Sequence, residues 1–231
     1  MTRERVLLGN VLVVAVCALV YELLCGTLAS YLLGNAVLQF SLVLGTYVFA
    51  MGVGAWVSKA LEPRAPQRYV QAELLLAVVG GLSVPGLLLA EAAHVPLRPA
   101  LYAVVFLVGA LVGVELPLLV RILRAERAGA HEGAQPGHGA AGFGDLVARA
   151  LAFDYLGALF ASVLFPLVLV PRLGLVRTAL ATGLVNALLA VSATWVVRLE
   201  RPTLLRGAGA VVVAALAVAF TRAEPWALTI D

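Results

Sequence analysis

VLLGNVLVVAVCALVYELLCGTLASYLL, residues 6–33, decides what kind of protein this is. The run passes with a single charge, Glu22. At 1.5 Å per residue, about 20 apolar residues in a helix cross the hydrocarbon of a bilayer. The start, with Arg3, Glu4 and Arg5 ahead of Val6, has the form of a signal peptide for about 15 residues. The apolar run then continues to Leu33 with no cleavage site, so it reads as an uncleaved first span.

Working outward, six further runs of the same kind fill the chain, at residues 38–58, 69–91, 97–123, 149–170, 174–197 and 204–221. The breaks fall at Gly34-Asn35, Pro63 and Pro66, Pro96 and Pro99, Pro171 and Pro202, residues that interrupt helices. Hydrophobic residues make up 62% of the chain and charged residues 13%, with a mean hydropathy of +1.02. That balance excludes a water-soluble domain. The absence of long alternating strands excludes an outer-membrane barrel. The sequence therefore predicts an all-α integral membrane bundle of seven spans. It divides into residues 1–126 (spans 1–4), a flexible Gly/Ala/Pro-rich loop at 127–146, and residues 147–231 (spans 5–7 and a short tail).

Lys and Arg set the direction. With the N-terminus cytoplasmic, the inner loops hold Arg3, Arg5, Lys59, Arg64, Arg68, Arg121, Arg124, Arg127, Arg149, Arg198, Arg201 and Arg206. The outer side holds Arg98, Arg172, Arg177 and Arg222, a bias of twelve to four. The C-terminus is then outside. The pI near 9.1 reflects these loop arginines, which meet lipid headgroups rather than nucleic acid. Cys17 and Cys25 lie eight residues apart, roughly 12 Å along a helix and too far for a disulfide.

The acids inside the spans are the candidates for function, because an ionisable group in hydrocarbon is costly. Glu22 shares a helix face with Gly26 and Ser30 and either binds a cation or takes a backbone hydrogen bond as a neutral acid. Glu115 sits in GALVGVELP (109–117), where Gly109 and Gly113 permit close helix approach and Pro117 frees the carbonyl of Gly113. It is a cation-site candidate, or else Arg121, six residues further on, forms a simple ion pair with a neighbouring helix. Glu73 and Asp154 fall near the starts of spans 3 and 5, where the helix dipole favours an acid and Arg68 and Arg149 stand close. If they converge with Glu115, they form an acidic vestibule below Glu22. Tyr21, Tyr47 and Tyr155 are candidate cavity linings. Asn10, Gln39 and Asn186 are expected to hydrogen-bond between helices, and Gly45, Gly52 and Gly54 to mark tight packing. Trp56, Trp195 and Trp226 fall where interfacial anchors belong.

No catalytic constellation can be assembled. There is no HExxH, P-loop or CxxC, and His94, His131 and His138 all fall in loops. Two histidines seven apart in the glycine-rich loop are not a metal-binding pattern, so neither metal nor cofactor is expected. An internal echo pairs Glu22-Leu-Leu-Cys-Gly-Thr-Leu-Ala-Ser30 with Asp154-Tyr-Leu-Gly-Ala-Leu-Phe-Ala-Ser162, and chance competes with a parallel repeat as its source.

The run Tyr21 to Ser30, the run Gly45 to Trp56, Gly113-Val-Glu-Leu-Pro117, and Phe153-Asp-Tyr-Leu-Gly-Ala158 with Pro166 and Pro171-Arg-Leu-Gly174 resemble one family. It is the membrane-embedded N-terminal region of bacterial spermidine synthase-like (polyamine aminopropyltransferase-like) proteins. The likeness spans about residues 20–190. It implies an inner-membrane location and some similarity to half of a major-facilitator transporter, in line with the parallel echo. The family's soluble synthase domain, which binds a nucleoside through a glycine-rich loop, has no counterpart here, so enzymatic activity is not expected of this chain.

Two functions compete. In the first, Glu22, Glu73, Glu115 and Asp154, with Tyr21 and Tyr155, bind or move a small cationic metabolite such as a polyamine. It requires a water-accessible cavity lined by at least two acids. In the second, the bundle is a non-transporting anchor or scaffold for a synthase-like partner or fused domain, with no cavity and its acids paired internally. Seven helices are few for a complete alternating-access path, so a homodimer is expected.

Overall fold

Backbone that leaves water must satisfy its own hydrogen bonds, and this chain does so as helix almost throughout. The computed structural model describes residues 2–130, 139–197, 199 and 202–223, and no strand occurs among them. Helix α1 spans Thr2–Leu33 and α2 spans Ala36–Val57. The hinge between them is Gly34 at φ 71° and Asn35 at φ 48°, left-handed positions that glycine and asparagine tolerate. The Asn35 side chain accepts from the Leu38 N–H at 3.2 Å and caps α2. A 3₁₀ turn, Ser58–Arg64, leads into α3, Ala65–Gly81, and then α4, Ser83–Ala92. Helix α5 spans Leu97–Ala130, α6 Gly139–Leu164, α7 Val170–Val196 and α8 Pro202–Arg222, with a π turn at Phe165–Leu169.

Two buried clusters define the two ends of the bundle. Leu7 and Leu8 of α1, Tyr69 of α3, Leu118 and Leu123 of α5, and Leu146 of α6 fill the lower one. Leu24 and Leu28 of α1, Tyr47 of α2, Leu101 and Val105 of α5, and Phe165 fill the upper one. Following each helix from cluster to cluster, α1 rises, α2 descends, α3 rises, α5 descends, α6 rises and α7 descends. Helix α8 rises again, from Leu205 in the lower cluster to Leu216, which packs with Ala77 and Leu180. Among the described residues the helices thus run along the bundle in seven alternating passes. By length and composition alone, five helical stretches among the described residues are long and apolar enough to cross a membrane: Val6–Leu33, Ala36–Gly81, Leu97–Ala125, Gly144–Val196 and Pro202–Arg222. The second and fourth, of 46 and 53 residues, each hold two passes.

Helices α2 and α5 run parallel at a constant register. Tyr102 Oη donates to Gln39 Oε1 at 3.0 Å near the top, and Arg121 Nη1 donates to the Ser58 carbonyl at 2.6 Å near the bottom, both 63 residues apart. Between them Gly109 lies under Tyr47 and Ala50, Gly113 under the Met51 carbonyl, and Gly54 against the Ala110 carbonyl; a Cβ at any of the three would collide. Small residues are what permit this approach. Gly45 and Gly52, expected to pack tightly, instead face open space, because they lie on the side of α2 turned away from α5.

Other expectations also shift. The run 69–91 is two helices, because Pro85 removes one backbone donor and Ser83 Oγ donates to the Gly80 carbonyl at 2.6 Å, which breaks the helix at Leu82. The turn expected at Pro171 lies at Gly174, whose φ of 70° suits glycine, after the π turn has carried the helix past the proline. Helices α5 and α6 extend into the expected loop at both ends, to Ala130 and from Gly139. His131, His138 and Trp226 lie outside the described residues.

Candidate functional site

The site grows from the parallel contact of α2 and α5, which turns Glu115 inward. Glu115 is 1% exposed and Glu73 0% exposed. Neither is near a helix start: Glu73 lies about two turns inside α3, and Asp154 about four turns inside α6. The helix dipole therefore does not account for either. The reason is that α3 and α6 begin earlier than the apolar runs do. The arginines nearest in sequence do not pair with these acids. Arg68 bonds Gln71, Arg121 bonds the Ser58 carbonyl, and Arg149 bridges Asp145 at 3.0 Å.

Glu73 and Glu115 are close enough for their charges to interact, and neither oxygen of either carboxyl has a hydrogen-bond partner. Tyr69, one turn below Glu73, faces its carboxyl without forming a hydrogen bond of good geometry. Beside this pair lies a cavity of about 50 Å³, lined by Glu115, Asp154, Tyr69 and Met51 together with one face of α1, Val11, Val14, Ala15 and Ala18. That is room for a few waters or an ammonium group. Gly157 of α6 sets the cavity wall by seating on the Leu12 carbonyl of α1. Two of the four predicted acids, Glu115 and Asp154, thus line one cavity, and Glu73 lies near Glu115 but outside that lining.

Glu22 is half-buried and is not among the cavity's lining residues; it stands near Tyr47 and Cys25 instead. Tyr21 is fully buried with its ring against Gly80 and its hydroxyl without a partner. Tyr47 Oη donates to the Ala18 carbonyl at 2.9 Å, which ties α2 to α1. Tyr155 does not line the cavity, being 68% exposed on the outside of the bundle, because it follows Asp154 by one residue and turns about 100° away. Of the expected interhelical hydrogen bonders, Gln39 bonds Tyr102, while Asn10 Nδ2 and both polar atoms of the Asn186 side chain are buried without partners. Tyr69 and Met51 were not anticipated. The i, i+4 spacing of Tyr69 and Glu73 was the available signal for the first. Among the described residues no cluster of three or more His, Cys, Asp or Glu has the arrangement to hold a metal ion.

Polyamine aminopropyltransferase 2 of Ralstonia nicotianae is 50% identical over 192 residues, covering 82% of this chain. A polyamine aminopropyltransferase of Leptospira interrogans is 42% identical over 217 residues, and one of Streptomyces coelicolor 39% over 229 residues, covering 93% and 96% of this chain. This chain is a relative of the polyamine aminopropyltransferases. It spans only 35% of the Ralstonia protein and 41% of each of the other two. No family model matches the chain, and no solved structure does. The aminopropyltransferases are thus matched over most of a chain whose observed elements are helices alone among the described residues.

Proposed function

We propose that this chain is the membrane-embedded part of a polyamine aminopropyltransferase-type protein, and that Glu73, Glu115 and Asp154 hold the ammonium group of an organic amine. Each of the seven passes is then a membrane span, with the N-terminus cytoplasmic in a bacterial inner membrane and the C-terminal end outside. The observation that carries the binding reading is the pair of buried carboxyls without partners beside a cavity that a third acid lines. Buried polar groups are normally satisfied, and a carboxylate in hydrocarbon needs a proton or a cation. The cavity is too small for a whole polyamine. A terminal ammonium fits, with the aliphatic chain lying along Val11, Val14 and Leu116. The Glu22 and Asp154 runs read as equivalent parts of two parallel halves, supported by the common direction of α1 and α6. Transport finds no support in the relatives named above, so the reading stops at binding.

The test is calorimetry of spermidine and putrescine with the detergent-purified protein, for wild type, Glu115→Gln and Asp154→Asn. Binding weakened at least about tenfold in the variants, equivalent to roughly 1.4 kcal/mol, with the thermal midpoint retained, supports the site. No heat from the wild type rejects it. The second reading, an anchor or scaffold for catalytic parts of such a protein, then stands, favoured by the match to less than half of each relative's length.

A further inference from the structure

A second cavity lies on the other side of α5. Helices α2 and α3 both pack on α5 rather than on each other, and the 3₁₀ turn holds their lower ends apart. The gap is a groove of about 370 Å³. Its walls are Val53 and Val57 of α2 and Ala72 and Leu75 of α3, and its floor is Leu107 and Leu111 of α5. Arg68 and Gln71 stand in the lining at the lower end, and Arg68 Nη1 donates to Gln71 Oε1 at 3.1 Å. A guanidinium carries five N–H donors, so that one bond leaves others for an anion. The turn and the start of α3 carry Lys59, Arg64 and Arg68 against the single acid Glu62.

We propose that this groove is a lipid site, which takes one acyl chain of an anionic phospholipid along its apolar length and sets the phosphate against Arg68. The inference rests on the membrane placement proposed above. Charge complementarity selects the occupant. A wholly apolar cleft running to a cationic mouth at the lower end, where arginines predominate, matches a chain joined to a negative headgroup. Exposed Leu75 and Leu107 keep the groove open along its side, as lateral access from the bilayer requires.

The experiment is native mass spectrometry of the detergent-purified protein with phosphatidylglycerol or phosphatidylcholine added, for wild type, Arg68→Gln and Leu75→Trp. The wild type is expected to retain one phosphatidylglycerol in preference to phosphatidylcholine. Leu75→Trp fills the groove and loses the bound lipid. Arg68→Gln weakens retention of phosphatidylglycerol roughly fivefold, about 1 kcal/mol for one basic side chain at an anionic surface, and leaves phosphatidylcholine unchanged. Equal retention in all three proteins overturns the proposal. So does a dimer mass in the wild type that Leu75→Trp converts to monomer, which would make the groove an interface between copies. Extraction of cell membranes with alkaline carbonate separates the two readings: release of the protein rejects the membrane placement itself, whereas a retained protein with no lipid preference rejects the groove alone.

Discussion

Glu73 and Glu115 are the residues on which most depends. Four carboxyl oxygens without partners, in a region packed with Leu118, Leu119 and Val70, are unfavourable unless something neutralises them. The ligand-free protein should therefore gain from losing one of them. Glu73→Met is expected to raise the thermal midpoint in detergent, by the equivalent of about 1–3 kcal/mol, while abolishing amine binding. A lowered midpoint would mean that the carboxyl is satisfied by a group such as ordered water. Tyr47 is the opposite case, because its hydroxyl is already matched to the Ala18 carbonyl. Tyr47→Phe should cost about 1 kcal/mol of stability and leave amine affinity unaltered, which thermal unfolding and calorimetry check together. At this scale the sequence singled out the acids but misplaced two of them on their helices. Glu73 and Asp154 read as helix-start acids because polar residues ahead of them hide how far α3 and α6 extend backwards.

The elements meet through glycines, and the glycines divide into two kinds. Gly113 and Gly54 lie against carbonyls of the facing helix, whereas Gly45 and Gly52 of the same helix pair meet nothing within 4 Å. Gly113→Ala should destabilise by about 1–3 kcal/mol, since the Met51 carbonyl must move. Gly45→Ala and Gly52→Ala should be neutral or stabilising by up to about 1 kcal/mol, through helix propensity. Unfolding midpoints of the three variants read the difference directly. Gly174→Ala tests the turn after α6: a φ of 70° is strained for alanine, and about 1–2 kcal/mol of destabilisation is expected. Pattern alone marked these helices as glycine-rich but did not rank the glycines. Two residues, about 200° around the helix, separate Gly52, which meets nothing, from Gly54, which meets the Ala110 carbonyl.

For the whole molecule, the charged residues at the ends make the topology testable. Lys59 belongs to the turn at the lower end, and Arg98 to the start of α5 at the upper end. With buried Cys17 and Cys25 replaced by alanine, single cysteines at positions 59 and 98 should react with an impermeant maleimide from opposite faces of intact cells, 98 first from outside. Labelling of both from one face would break the seven-span reading. The apolar character of the helices was already written in the composition, because hydrophobic transfer depends on the residues a segment contains and not on what it packs against. The positions of most turns were legible for a similar reason: proline and glycine act on their own backbone. Convergence was not legible. Glu115 and Asp154 meet at one cavity, with Glu73 near Glu115, through helix-to-helix registers that join residues distant in the chain, such as Gly157 on the Leu12 carbonyl. Tyr155 is sent outward by the 100° step from its neighbour. Hydropathy and local propensity carry no information about which faces of two helices will meet, so only the tertiary packing could set Glu115 and Asp154 on one cavity with Glu73 near Glu115.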